Sequence, residues 1–392
     1  MEVKEARVES KPVLLYVITS ASRHGAQKYV YDMARYAWGR GDYDVRVAVG
    51  HHGDLVERLT AVGIPTCTLG LKREVDLTSD VRACIELAKL LRDIKPSVLH
   101  LNSSKIGFTG AVLGRFLRVP RIVFTAHGWP FEVASTRSAR KVYTAMMYAT
   151  VRASHLTIAV SGQIKAAWDG TGLLEKITVI HNGIEIPSLM AREAARASLA
   201  FSRVSGISHV VSIGELHHRK GFDTAIQAMA LLGRADVHYH VIGDGNERPE
   251  LERLIERLGL KGRVYLHGAR ADAASYLAAA DLFLVPSRVE PFGYVALEAA
   301  SARVPLVATR VGGLPEIIED HVSGLLAEPD GPESLAKALQ RMLGADDAFR
   351  ARICSAARSR IEEEFSLERM CSRTYESYWS VQRCRPRGEA GC

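Results

Sequence analysis

The sequence predicts an α/β protein made of two doubly wound, parallel-sheet domains, and three observations carry that prediction. Short apolar runs of strand length alternate with segments of helical spacing, the pattern expected when helices cover both faces of a parallel sheet. The alternation stops once, at the turn-rich run His181-Asn-Gly-Ile-Glu-Ile-Pro-Ser188, and then restarts. Each half also places glycine-bearing loops directly after its strands.

In the first half the predicted strands are PVLLYVI from Pro12, DVRVAVG from Asp44, SVLHL from Ser97, RIVFTA from Arg121, LTIAVS from Leu156 and KITVI from Lys176. Helices are predicted up to Gly39, from Leu55 to Val62, from Gly107 to Phe116 and from Ser138 to Ser154. In the second half the strands are HVVSIG, VHYHVIG, RVYLHG, DLFLVP, PLVAT and GLLAE, with helices from Phe222 to Leu232, near Glu250 to Leu258 and from Pro332 onward. The expected domains are residues 1–187 and 188–366. Residues 367–392 form a terminal segment whose helix, about Leu367 to Val381, offers Tyr375, Tyr378 and Trp379 for packing.

Composition excludes several classes. At 392 residues, 47% hydrophobic and 24% charged, the chain has the balance of an ordinary globular protein. No apolar run approaches the ~20 residues that span a bilayer, and the start MEVKEARVESKP is charged, so a cytoplasmic protein is expected. Cys67, Cys84, Cys354, Cys371, Cys384 and Cys392 are scattered without a Cys-x-x-Cys pair, which speaks against a zinc or disulfide framework. Residues 1–187 carry 25 basic and 17 acidic side chains, so the net charge of +7 resides in the amino-terminal half. Such a half suits nucleic acid, an anionic lipid surface or an anionic substrate. Nucleic acid ranks last because no recognition motif accompanies the charge. No Gly-x-Gly-x-x-Gly follows a strand, which argues against a dinucleotide oxidoreductase.

The most informative stretch is Pro286-Ser-Arg-Val-Glu-Pro-Phe-Gly-Tyr-Val-Ala-Leu-Glu298. It joins a strand's carboxyl end to a helix's amino end, where open α/β sheets bind ligands and helix N–H groups favour an anion. Glu290 and Glu298 there are acceptors for the hydroxyls of a sugar and a ribose. Gly214-Glu-Leu-His-His-Arg-Lys-Gly221 follows the first strand of the second half, and Arg219 and Lys220 suit a diphosphate. Gly25, in Thr19-Ser-Ala-Ser-Arg-His-Gly-Ala-Gln27, permits close backbone approach to a phosphate, or simply turns the chain. His127 ends the strand RIVFTA before Gly128, Trp129 and Phe131; a structural role and a hydrogen bond to a sugar both remain open. Ser161 reads as a helix N-cap and Asn182-Gly183 as turn chemistry. The helix from Arg137 to Ser154 mixes Arg137, Arg140, Lys141 and Arg152 with Val142, Met146, Tyr148 and Val151. That pattern fits an anionic membrane surface or a helix packed on its own domain.

These motifs together resemble the retaining GT-B glycosyltransferases of family 4, over about residues 13 to 380. The family's Glu-x7-Glu motif with an internal Phe-Gly matches Glu290, Phe292, Gly293 and Glu298. The resemblance implies two Rossmann-like domains facing each other across a cleft, with a last helix crossing back to the first domain. It implies retaining transfer of a sugar from a nucleotide sugar, commonly a uridine diphosphate sugar, to a glycan or a polyprenyl- or other lipid-linked acceptor. It assigns Arg219 and Lys220 to the diphosphate, Glu298 to the ribose, Glu290 with Phe292 and Gly293 to the donor sugar, and His127 to its vicinity. The chain departs from the family pattern at Glu215, where many members have arginine, and at His24, where they have a glycine. No metal or cofactor is expected, since the only Asp-x-Asp, Asp42-Tyr-Asp44, precedes an early strand. The alternatives are a nucleotide-sugar epimerase or sugar-phosphate synthase of the same fold, and a non-catalytic sugar-binding protein.

Overall fold

The computed structural model describes residues 11–21, 25–71, 77–201 and 206–379. His24 therefore lies outside the described residues, as does the end of the predicted last helix beyond Trp379. The chain divides into two compact units. The first takes the residues up to Val160, Ile164–Ile180 and those from Met370 on; the second takes Ser161–Gln163 and His181–Arg369.

The first unit runs β1 (Val13–Ile18), α1 (Gly25–Arg40), β2 (Asp44–Val49), α2 (Asp54–Ala61), β3 (Thr66–Thr68), α3 (Leu77–Ile94), β4 (Val98–Leu101) and α4 (Ser104–Phe116). It continues with β5 (Arg121–Ala126), α5 (Arg137–Ala153), β6 (Leu156–Ala159), α6 (Gly162–Ala166), whose first two residues are counted with the second unit, and β7 (Ile177–Val179). The seven strands pair in parallel in the order β3-β2-β1-β4-β5-β6-β7. Because helices cover both faces, β4, β5 and β6 are buried at every position, which is why they read as unbroken apolar runs.

The second unit contains α7 (Arg192–Ser198), β8 (Ser208–Ile213), α8 (Phe222–Leu232), β9 (Val237–Ile242), α9 (Arg248–Arg257), β10 (Val264–Leu266) and β11 (Leu282–Val285). It continues through α10 (Tyr294–Ser301), β12 (Leu306–Thr309), α11 (Leu314–Ile317), β13 (Leu325–Ala327), α12 (Pro332–Leu343), α13 (Asp347–Glu364) and the first residues of α14 (Leu367–Ser377). Its six parallel strands follow the order β10-β9-β8-β11-β12-β13. Val210, Tyr239 and Val241 of the sheet pack with Ala225 and Met229 of α8 and with Leu335 and Leu339 of α12 in one continuous core.

Several elements were absent from the sequence reading. Edge strand β3 has only three residues, none of them buried, so it lacks the apolar run of a central strand. Helix α3 hides its period because Val81 and Ile85 lie on its exposed side. Helix α7 is only seven residues long.

From Met370 the chain belongs to the first unit, held by a buried polar network. His100 Nδ1 lies 2.8 Å from the Tyr378 hydroxyl and His100 Nε2 lies 2.7 Å from Thr125 Oγ1. Tyr378 also meets the Tyr16 hydroxyl at 3.0 Å. Tyr375 donates to Asp42 at 2.7 Å, while the half-exposed Trp379 stacks on Tyr43. Burial lowers the His100 pKa to about 3, with a smaller push from His127. The folded state therefore holds this imidazole neutral, whereas the unfolded chain takes a proton near its ordinary pKa of about 6.5. Stability is complete above that value and declines as pH falls toward 3, because the unfolded state then binds the extra proton. Melting curves between pH 7.5 and 5.5 should show this fall, and His100→Gln should make the slope shallower.

Candidate functional site

In a doubly wound sheet the strand order reverses at one point, and the loops leaving the carboxyl ends of the strands there part to form a crevice. In the second unit that point lies between β8 and β11. The loop after β8 carries Arg219 and Lys220, and the loop after β11 carries Glu290, Phe292 and Gly293.

Local backbone chemistry holds the two loops together. Residues His218–Lys220 form a single 3-10 turn, and Gly221 caps α8 with φ of 64°. A Cβ at Gly221 would sit 2.1 Å from the Pro286 carbonyl oxygen, so this close approach requires glycine. The Arg219 carbonyl accepts N–H bonds from Arg288 at 2.8 Å and Val289 at 3.2 Å. Arg288 then grips the start of α8: its guanidinium donates to both Asp223 carboxylate oxygens, at 2.6 and 2.8 Å, and to Thr224. Burial alone would raise the Asp223 pKa, but the Arg288 fork outweighs it and holds the carboxyl below its ordinary value.

With the loops so fixed, Lys220 Nζ donates to Glu290 Oε2 at 2.7 Å, and Ser287 Oγ donates to the same oxygen at 3.3 Å. Glu290 is buried, and Lys220 keeps part of its side chain in solvent. No carboxylate among the described residues pairs with the Arg219 guanidinium. Phe292 is buried between His181, stacked at 5.8 Å, and Phe365. Gly293, with φ of 114°, starts α10, and Glu298 sits half-buried one turn further along it.

A second layer supports this loop. Gly313 N–H donates to the Glu290 carbonyl at 3.1 Å. The Ser161 hydroxyl donates to the Pro291 carbonyl at 2.9 Å. Glu316 meets His181 Nε2 at 2.7 Å and accepts the N–H groups of Gly162 and Gln163. Burial pushes the Glu316 carboxyl up, and these hydrogen bonds more than offset it, leaving its pKa below the ordinary value. Sequence reasoning missed Ser287, Arg288, His181 and Glu316. Arg288 stands inside the Ser-Arg-Val-Glu run, and Asp223 in the first turn of α8, directly after the Arg219-Lys220-Gly221 loop, was the available signal for its partner.

Gly25 and His127 belong to the first unit. Its own reversal point lies between β1 and β4. Thr19, just after β1, meets Ser103 Oγ through its hydroxyl at 2.6 Å, and Gly25 opens α1. His127 follows the neighbouring strand β5, with Nε2 3.4 Å from Asn102 Oδ1 and its ring edge-on to Tyr29 at 5.0 Å. Asn102 gives its amide N–H to the His100 carbonyl, so its oxygen faces His127 and Nε2 is the protonated nitrogen. Burial lowers the His127 pKa to about 3, so the ring is neutral at physiological pH, with a lone pair on Nδ1. Trp129 and Phe131, which follow it, are buried: Trp129 stacks on Phe131 and donates to the Ile164 carbonyl.

Residues 23–186 match the model described as Glycosyltransferase Family 4, and residues 208–345 match Glycosyl transferases group 1. An uncharacterised glycosyltransferase of Methanocaldococcus jannaschii is 30% identical over 302 residues, covering 72% of this chain and 75% of that protein. The Escherichia coli UDP-Gal:alpha-D-GlcNAc-diphosphoundecaprenol alpha-1,3-galactosyltransferase is 26% identical over 351 residues, covering 86% of this chain and 89% of that one. Among solved structures, Anabaena HepE in complex with UDP and glucose matches with a TM-score of 0.80 at 25% identity, covering 95% of this chain and all of that one. These likenesses define a GT-B glycosyltransferase. The chain belongs to glycosyltransferase family 4.

Proposed function

We propose that this glycosyltransferase moves a hexose from a UDP-sugar, with retention and without a metal in the donor site, to a hydroxyl of a glycan or lipid-linked acceptor. The observation that carries the reading is the Lys220–Glu290 pair at the second unit's reversal point, with Arg219 beside it and not engaged by any described carboxylate. Departure of a nucleoside diphosphate builds negative charge on oxygen, and fixed cations stabilise that charge most where water is scarce. Arg219 and Lys220 hold the diphosphate, Glu298 the ribose, and Glu290 with the Phe292–Gly293 backbone the sugar. Glu290 is a sugar ligand and not a nucleophile in this reading, because one of its oxygens is already committed to Lys220 and Ser287. Gly25 lets the first unit's opening loop approach a phosphate. The neutral His127 offers its Nδ1 lone pair to a sugar or acceptor hydroxyl. The uridine assignment is supported by the UDP and UDP-sugar named for the HepE structure and the E. coli relative.

The test is a calorimetric and thermal-shift screen of metal-free protein against nucleoside diphosphates and nucleotide sugars. UDP should stabilise the wild type, and Glu298→Ala and Lys220→Ala should each weaken its binding at least tenfold. Uridine nucleotides binding no better than the others, or unchanged affinity in both variants, would overturn the assignment.

Where the acceptor is lipid-linked, this reading has the protein meet it at an anionic, inner membrane face. Helix α5 supports this. Arg137, Arg140, Lys141, Thr144, Ala145 and Tyr148 line a groove of about 670 Å³ in the first unit. None of the three cations forms an ion pair with a carboxylate among the described residues, and Val142 beside them is exposed. Among those residues no helix is long and apolar enough to cross a membrane, so attachment would be peripheral. Co-sedimentation with phosphatidylglycerol vesicles should be strong at low salt and lost in Arg137→Glu/Arg140→Glu. Vesicle binding that ignores both salt and these charges would remove the idea.

A further inference from the structure

Three histidines from two adjacent strands converge on one face of the second unit's sheet, in the amino-terminal part of the strands. The donor loops leave from the opposite, carboxyl ends. His238 and His240 alternate along β9 and so share a face, and the parallel register sets His209 of β8 directly beside His238. All three are buried, with exposures of 1%, 8% and 1% for His209, His238 and His240. One nitrogen from each lies within 4.8 Å of one from each of the others.

We propose that His209, His238 and His240 form a binding site for a divalent transition-metal ion of the zinc class. Imidazole suits zinc, cobalt, nickel and copper, whereas magnesium and calcium call for oxygen ligands. Zinc–nitrogen bonds of about 2.0–2.1 Å in a tetrahedral centre place ligand nitrogens roughly 3.4 Å apart. His209 Nδ1 and His240 Nε2 are 3.0 Å apart, so a common centre asks for modest ring rotations. His240 also has its outer partner in place: its Nδ1 lies 3.0 Å from His267 Nε2. When that Nδ1–H donates to His267, the Nε2 lone pair points toward His209, the arrangement by which a second layer orients a ligating histidine.

The second, independent observation is His238 Nδ1, a buried polar atom with no hydrogen-bond partner among the described residues. A buried nitrogen left unpaired is unusual, and a metal would satisfy it. Phe201 stacks on His240 at 3.7 Å and on His209 at 4.3 Å, and Tyr265 stacks on His240 at 4.9 Å, so apolar rings wall the group.

Nearby charge limits the affinity. Arg192 and Arg196 both pair with Asp281, whose carboxylate also accepts the His209 backbone N–H at 2.8 Å, so these cations are largely compensated. Arg263 and Arg270 add positive potential at His238 and His267. Binding should accordingly be weaker than at a structural site with cysteine thiolates. The place of the cluster, at the strand ends away from Lys220 and Glu290, gives the ion a role in fastening β8 to β9.

The experiment uses chelator-treated full-length protein dialysed against cobalt(II) or zinc(II). One equivalent of cobalt should bind with the visible absorption of a tetrahedral centre, and zinc should raise the melting temperature. His238→Ala and His209→Gln should each abolish both effects, whereas His51→Ala/His52→Ala, which removes an exposed pair, should leave them intact. Less than about a tenth of an equivalent bound, or undiminished binding in folded His238→Ala, would overturn the proposal. Should His209→Gln fail to fold, the His238→Ala variant decides the matter.

Discussion

Replacing Lys220 with methionine should lower kcat by about 100- to 1,000-fold, the loss typical when one preorganised donor to a developing oxyanion is removed. The ammonium serves two anions in the proposed chemistry: the departing diphosphate and Glu290, 2.7 Å away. Methionine keeps the chain's length and apolar stem but leaves the buried Glu290 carboxylate with only Ser287 as a side-chain partner among the described residues. Removing one member of a buried pair is costly because the other charge stays behind without compensation. The single variant should therefore melt lower as well as turn over more slowly. Lys220→Met/Glu290→Gln separates the two effects, since a neutral amide no longer needs a cation. Its melting temperature should return most of the way to wild type while kcat stays low. Recovery of activity together with stability would mean that Lys220 acts only by holding Glu290 in place. Steady-state kinetics with saturating donor, alongside melts of both variants, distinguish these outcomes.

The sequence made the sheets legible for a simple reason: strands buried on both faces must be apolar throughout, and helices between them must carry one apolar face. β4, β5 and β6 meet that condition, whereas β3 at the sheet edge does not, and it escaped notice. The individual site motifs were legible because each sits at a strand-to-loop junction. Their contacts were not. Lys220 and Glu290 are 70 positions apart, and no local pattern says that a 3-10 turn and a Pro-Phe-Gly loop share backbone hydrogen bonds. The support from Glu316 spans 135 positions to His181, so an ordinary helix-entry glutamate gave no sign of it. Neutrality of His127 follows from desolvation by its surroundings, which composition around the residue does not record. The His-x-His at 238 and 240 was visible, but its third member arrives from a neighbouring strand through the register.

Gly312→Ala should be the most damaging single-methyl change in the second unit. Gly312 has φ of 57°, and a Cβ there would fall 1.6 Å from the Glu290 carbonyl oxygen and 2.6 Å from its carbon. Both atoms are backbone, so no side-chain rotation relieves the clash. Either the Gly312–Gly313 turn must back away, breaking the Gly313 N–H bond to Glu290, or the Glu290 loop must move and carry its carboxylate off Lys220. Left-handed strain alone costs about 1 kcal/mol for a side chain. With steric displacement added, the loss should reach about 3 kcal/mol or more, in the range reserved for specific structural faults. For a unit of this size that corresponds to a fall of roughly 6–12 °C in melting temperature. Gly259→Ala is the control, because Gly259 has φ of 66° but no described residue within 4 Å of its added Cβ. It should show only the conformational cost and retain activity. If the two variants melt together, the tight apposition of the Gly312 turn and the Glu290 loop is not what holds the site, and the loop must be positioned instead from the Lys220 side alone.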